Sequence, residues 1–158
     1  MTMTDNPPAV ADGFVVRRSI DIAAGIDRVW AAVTQPDLIA QWFGDRCRLD
    51  SLEVGAGGAF GWDDAGDFPF RIEEFDPPRA IAYRWSNAVA GALDPLQVVD
   101  AHSTLFRFTL EERPGGTRLT VVETGFESHE RPDAVVEDHR QGWTSELDEL
   151  VALVEGAA

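Results

Sequence analysis

After two short helices, the hydrophobic period of this chain changes from about 3.6 residues to 2, and this change limits the folds open to it. Residues 26–34, IDRVWAAVT, carry apolar side chains at helical spacing, and Pro36 begins PDLIAQWF as a second short helix. After Gly44, apolar and polar residues alternate, which is typical of strands with one buried face. Such a chain needs a sheet whose apolar face is covered by another element.

Seven strands are predicted, and the first of them, FVVRRSIDI (14–22), precedes the two helices. Turn-forming residues such as Pro77-Pro78 and Pro114-Gly115-Gly116 separate the others, and their even spacing favours an antiparallel sheet. The connection at 87–102 is longer and rich in small residues, which is typical of a lid or binding loop. The six later strands are RCRLDSLEV (46–54), GGAFGWDD (57–64), FPFRIEEFD (68–76), RAIAYRWSN (79–87), STLFRFTLEE (103–112) and TRLTVVETGF (117–126).

A long C-terminal helix beginning at Pro132 is the predicted element with enough length to cover this sheet. The order of elements therefore indicates an α+β fold: a strand, two short helices, six strands and a long helix. Gly142 lies inside the helix, where glycine costs up to about 1 kcal/mol relative to alanine. The apolar stripe comprises Val136, Trp143, Leu147, Leu150, Val151 and Val154.

The composition of the chain limits its cellular location and the molecules that it can bind. Residues 1–12 are polar and contain proline, so we expect a disordered tail before a single domain at 13–158. Cys47 has no second cysteine to pair with, and no signal peptide or membrane-spanning run is evident, which favours a cytoplasmic protein. The net charge of −15 and the absence of a basic run argue against binding to nucleic acid or to a membrane surface.

Four segments in the same order resemble the START-like (SRPBCC) superfamily, and more narrowly its AHSA-like branch. VWAAVTQPDLIAQWF is similar to the opening motif, and FRIEEFDPPRAIAYRW to two strands joined by a proline turn. RLTVVETGF resembles the last strand, and GWTSELDEL the C-terminal helix. The resemblance covers roughly residues 14–155.

This resemblance implies a helix-grip fold, in which a curved seven-stranded antiparallel sheet wraps the C-terminal helix and leaves a cavity between them. The implied function is to hold an apolar or aromatic small molecule there, with the 87–102 loop and Trp42-Phe43 controlling access. A cyclase or hydrolase acting on a polyketide-like substrate is one alternative. A co-chaperone-like module that binds a protein is another, and a homodimer is left open.

Strand alternation assigns side chains to the concave face. We expect this face to supply the ligand contacts, together with two residues of the helix, although a solid aromatic core is the competing interpretation. The predicted ligand-binding residues are Trp62, Phe70, Tyr83, Trp85, Phe106, Phe108, His139 and Trp143.

Gly142 has two interpretations: it admits a bulky strand side chain such as Trp85, or it leaves space for a ligand. His139 and Glu146 lie along the same helix edge, where they form a weak candidate for an acid–base pair.

Two charged residues, Arg18 and Glu123, fall on faces that are otherwise apolar. Because the first and last strands are neighbours in the implied fold, we hypothesise that the two form an ion pair inside the cavity. The alternative is that one or both point to solvent.

No further catalytic or cofactor motif is recognised. The three histidines lack metal-ligand spacing, and neither a nucleophile elbow nor a phosphate-binding loop is present, so we expect no metal and no cofactor. The enzymatic alternative would depend on Tyr83, His139, Glu123 and Arg18 converging in the pocket.

Overall fold

The computed structural model describes residues 6–86 and 103–156, so the predicted lid at 87–102 lies outside the described residues. Within them the chain forms the predicted order of strands and helices. The strands are β1 (Val10–Asp12), β2 (Val15–Ile22), β3 (Arg46–Leu49), β4 (Gly57–Trp62), β5 (Gly66–Asp76), β6 (Ala80–Ser86), β7 (Ser103–Arg113) and β8 (Gly116–Thr124). The helices are α1 (Ile26–Thr34), α2 (Pro36–Ile39) and α3 (Pro132–Gly156), with a 3-10 turn at Phe126–Ser128.

The strands form one antiparallel sheet in the order β1-β2-β8-β7-β6-β5-β4-β3. Strands β2 and β8 are therefore neighbours, with Val16 opposite Glu123 and Ile20 opposite Leu119, as the resemblance implied. A bulge between Ile72 and Glu74 interrupts the register of β5 with β6, and such bulges bend a strand. The result is the predicted α+β, helix-grip architecture.

The N-terminal segment corrects one prediction, because residues 6–12 are ordered rather than disordered. Val10–Asp12 pairs with β2 and makes the sheet eight-stranded within the described residues, one strand more than predicted. The Ala9 amide donates to Thr144 Oγ1 at 2.9 Å, and Arg18 Nε donates to the Pro7 carbonyl at 2.8 Å. These partners are distant in sequence, so the local composition of the segment does not reveal them.

Helix α3 covers the concave face of the sheet. All six residues of its predicted apolar stripe are buried. The Trp143 ring lies 5.0 Å from that of Phe106 in β7, measured between centroids. Across the described ranges, no helix combines the length and the apolar character that crossing a bilayer requires.

Candidate functional site

One end of the concave face, here the closed end, is solid. Its side chains leave no room for a water molecule between them. The Tyr83 hydroxyl donates to the Val33 carbonyl at 2.7 Å, and burial raises the pKa of Tyr83 above its usual range. The phenol therefore stays a protonated donor in the core. The closed end comprises Val33, Ile39, Trp42, Phe60, Tyr83, Phe106 and Phe108.

The other end, the open end, holds a cleft of about 160 Å³. This is below the roughly 300–1,000 Å³ of ordinary ligand pockets, so the described residues do not form a cavity of ordinary pocket size between the sheet and α3. Phe43 fills the interior instead: its ring lies 4.9 Å from Phe60 and 5.4 Å from Trp143. The cleft is lined by Phe43, Trp62, Trp85, Asp138, His139, Gly142, Trp143 and Glu146.

The predicted ligand-binding residues divide between the two ends. Trp62, Trp85, His139 and Trp143 come together in the cleft. The remaining four do not line it. Phe70 is fully buried, with its ring stacked 4.3 Å from Phe60, and the other three belong to the closed end: Tyr83, Phe106 and Phe108.

Glu123 is a buried carboxylate beneath the cleft, and among the described residues each of its oxygens has two hydrogen-bonding partners. Oε1 accepts from Trp143 Nε1 at 2.8 Å and is paired with His139 Nδ1 at 2.8 Å. Oε2 accepts from Trp85 Nε1 at 3.0 Å and from Thr104 Oγ1 at 2.5 Å. One side chain therefore fixes two indoles and an imidazole of the cleft wall.

Glu123 and His139 each shift the pKa of the other toward its charged form. Burial alone would raise the pKa of Glu123, but the His139 charge and hydrogen bonds from His139, Thr104 and Trp85 outweigh it and lower that pKa. Burial alone would lower the pKa of His139, and the Glu123 carboxylate reverses this and raises it. A carboxylate with several donors is stabilised in its charged form, so the surroundings of this pair favour imidazolium beside carboxylate.

Arg18 is also buried, but it does not pair with Glu123, so the predicted cross-strand ion pair is wrong. Its guanidinium donates to the Trp143 and Thr144 carbonyls at 3.3 and 2.8 Å, and to Asp148 Oδ1 at 2.7 Å. The burial of both charges was predicted correctly. Each one, however, satisfies its hydrogen-bonding capacity with a separate group of partners, which removes the reason for a direct contact.

Gly142 leaves space rather than admitting a neighbour. A Cβ added there would meet nothing within 4 Å among the described residues, and the glycine lines the cleft. The alternative of close packing, against Trp85 for example, is therefore wrong.

Glu146 lines the cleft but does not form the predicted acid–base pair with His139. The imidazole of His139 contacts Glu123 instead. Burial and the nearby charges of Glu149 and Asp45 raise the pKa of Glu146 to about 7. The cleft thus contains a carboxyl group that is half protonated near neutral pH.

Sequence reasoning gave no ligand-site role to Thr104 or Asp138, although each carried a signal. Thr104 alternates with Phe106 along β7, which places it on the concave face. Asp138 precedes Gly142 by four residues, the spacing of neighbours on one helix face. Phe43 was expected only to control access, and it is the ring that fills the interior.

These features agree with comparison to known proteins. The chain belongs to the family described as activator of Hsp90 ATPase homolog 1-like protein, which matches residues 23–155. It is thus a member of the AHSA-like branch of the START-like (SRPBCC) superfamily. Among curated proteins, none matches the chain significantly.

Solved structures share the fold over most of the chain. Protein MLL2253 from Mesorhizobium loti is 23% identical with a TM-score of 0.76, covering 91% of this chain and 98% of its own. Protein CV1439 from Chromobacterium violaceum is 25% identical with a TM-score of 0.68, covering 91% and 99%. DynU16, from the dynemicin biosynthetic locus, is 26% identical with a TM-score of 0.71, and the match spans 91% of this chain and 48% of DynU16.

Proposed function

We propose that this protein binds an apolar or aromatic small molecule in the cleft at the open end. The observation that carries the proposal is the empty volume at Gly142, between indoles that are held in place by a buried charge. A glycine that weakens a helix without admitting a neighbour needs another reason, and ligand space provides one. At about 160 Å³, the cleft suits a compact ligand or one end of a larger one.

The fixed positions of the indole rings in the cleft lower the free-energy cost of binding a ligand. The ring positions of Trp85 and Trp143 are set before a ligand arrives, because both indole N–H groups donate to Glu123. Preorganisation of this kind reduces the conformational entropy lost on binding. The cytoplasmic location inferred from the sequence remains part of this proposal.

The alternatives have less support from the described residues. The enzymatic alternative needed four polar groups to converge, but Tyr83 bonds to Val33 and Arg18 bonds to Asp148, so only His139 and Glu123 meet. The protein-binding alternative needed an exposed apolar or charged patch and no pocket, and the cleft counts against the second condition. The exposed large apolar side chains that are described lie near opposite edges of the sheet: Val10 in β1 and Phe14 just after it, and Leu52 and Val54 after β3.

The proposal is tested by native mass spectrometry of the freshly purified protein, followed by denaturation and identification of released molecules. We expect an added mass on the wild type that is missing from Gly142→Leu, since a leucine would fill the cleft. The matched control is Ser145→Leu, an exposed site on the same helix, which should keep the added mass.

A weakly held ligand is lost during purification, so a second readout is needed. Aromatic probes are added and the indole N–H resonances are followed by NMR. If the wild type has no added mass, and no probe moves the resonances of Trp62, Trp85 or Trp143, the cleft does not bind such molecules.

A further inference from the structure

The cleft presents aromatic surface from four separate parts of the fold. Trp62 comes from β4, Trp85 from β6, Trp143 from α3 and Phe43 from the chain after α2. The Trp62 and Trp85 ring centroids lie 6.0 Å apart, and Phe43 stacks on Trp143 with an interplanar angle of 9°. Aromatic rings grouped in this way attract cations through their quadrupoles, and tryptophan does so most strongly.

Two of these indoles have no donor left for a ligand. The N–H groups of Trp85 and Trp143 are both used by Glu123. What these two rings offer a ligand is therefore carbon and π surface, not a hydrogen bond to a neutral or anionic acceptor.

Two carboxylates lie on α3 on either side of the empty position. Asp138 is four residues before Gly142 and Glu146 is four residues after it, and all three line the cleft. With a rise of about 1.5 Å per residue, each carboxylate-bearing residue is displaced by roughly 6 Å along the helix axis from the glycine. The missing side chain leaves the space between the two acids open.

Among the residues that the structure describes, the positive charges beside the cleft are paired with carboxylates. His139 is balanced by Glu123 at 2.8 Å. Arg46, which contacts the Trp62 carbonyl, is bonded to Asp67 at 2.9 Å and to Asp63.

Further negative charge comes from Asp45 and Glu149, which act on Glu146. The summed field at the cleft is therefore negative, which concentrates cations there.

The geometry points to an organic cation as the ligand: its ammonium group lies over Gly142 between Asp138 and Glu146, and its apolar part lies against the indoles. This inference rests on the proposed function, because it assigns a charge to the ligand of the same cleft.

Glu146 then makes the affinity depend on pH in a defined direction. With its pKa raised to about 7, the carboxyl is largely neutral at pH 6 and largely charged at pH 8. A cation binds the charged form better, so affinity rises by up to about tenfold from pH 6 to pH 8 and binding releases a proton. A ligand that accepts a hydrogen bond from neutral Glu146 would instead bind more weakly at pH 8.

The experiment compares three probes that share a phenyl ring and differ in charge: phenethylammonium, 2-phenylethanol and phenylacetate. Isothermal titration calorimetry of the full chain at pH 8 should give phenethylammonium about tenfold higher affinity than 2-phenylethanol, with phenylacetate weakest. Glu146→Gln should remove most of that preference and the part of the pH dependence that belongs to Glu146. The matched control is Asp133→Asn, which removes a carboxylate from an exposed position of the same helix, outside the cleft lining and not among the charges that act on Glu146, and it should retain the preference.

The outcomes separate this inference from the proposed function. If 2-phenylethanol or phenylacetate binds as tightly as phenethylammonium at pH 8, the cation assignment is wrong and the binding cleft stands. The cation assignment is also wrong if Glu146→Gln leaves the preference intact. If none of the three probes binds or moves the resonances of Trp62, Trp85 and Trp143, both the inference and the proposed function are wrong.

Discussion

The closed and open ends of the concave face are built largely from the same kinds of side chain, but they differ in where their polar atoms bond. At the closed end, Tyr83 and Trp42 donate to backbone carbonyls of α1, those of Val33 and Ala32. At the open end, Trp85 and Trp143 donate to one buried carboxylate, Glu123.

This difference explains why the closed end is a solid core and the open end contains a cleft. At the closed end, hydrogen bonds to backbone carbonyls hold the rings against α1, and the rings pack together without a void. A carboxylate holds rings from β6 and α3 at a common centre, while Gly142 leaves the space beside them empty. We therefore expect the two ends to respond differently to mutation.

Glu123→Gln should have the largest effect, with a loss of about 3–5 kcal/mol in the free energy of unfolding. The amide nitrogen would face donors rather than accept from them, and His139 would lose its countercharge. Urea denaturation measures the loss, and the Trp85 and Trp143 indole resonances should move upfield as their hydrogen bonds weaken. Wild-type stability in this variant would show that the carboxylate does not hold the open end together.

Tyr83→Phe is the counterpart at the closed end and should cost about 1–2 kcal/mol, the range for losing one buried hydrogen bond. Because Tyr83 does not line the cleft, probe affinity and its pH dependence should stay at wild-type values. A clear change in probe affinity in this variant would mean that the two ends are not separate.

Glu146→Gln should stabilise the protein in a pH-dependent way. The folded state raises the pKa of Glu146 from 4.5 to about 7, so the fold binds this proton more tightly than the unfolded chain does. The wild type therefore loses stability as pH rises from 4.5 through about 7, and the glutamine variant lacks this loss.

After discounting for solvent screening, the advantage of Glu146→Gln should be about 1 kcal/mol larger at pH 8.5 than at pH 5.5. Denaturant titrations of both proteins at the two pH values provide the measurement. An advantage that is the same at both would contradict the environment described for Glu146.

Gly142→Ala should produce the smallest change in stability, a gain of up to about 1 kcal/mol from helix propensity, because the added methyl group meets no neighbour. It should weaken probe binding at the same time. Ser145→Ala, at an exposed position of the same helix, should gain about half as much stability and leave binding unchanged. Thermal denaturation that shows Gly142→Ala to be destabilised would restore the packing interpretation of the glycine.

Much of the fold was predictable because its signals are local. The predicted helix at 26–34 has the observed bounds Ile26–Thr34, and the apolar stripe of α3 is buried residue by residue. Strand β1 was not predictable in this way. Its segment is held by Thr144 and Arg18, whose proximity exists only in the folded chain.

The site was less predictable, because the alternation of side chains along a strand shows which face of the sheet a residue lies on but not which residue it bonds to. Arg18 and Glu123 were correctly placed on one face, but choosing among their neighbours required the positions of Asp148, Thr104 and the two indoles. The volume of the cleft was also beyond the sequence, because it depends on how Phe43 packs against rings from other elements.

The most direct test of ligand binding at the open end is an NMR titration that follows the five tryptophan indole N–H resonances. Phenethylammonium, 2-phenylethanol and phenylacetate are added in turn to the full chain. We expect at least one probe to shift the resonances of Trp62, Trp85 and Trp143 until they saturate. The resonances of Trp42 at the closed end and of Trp30 beside Phe75 should not change. No shift at the first three residues, or equal shifts at all five, would contradict ligand binding at the open end.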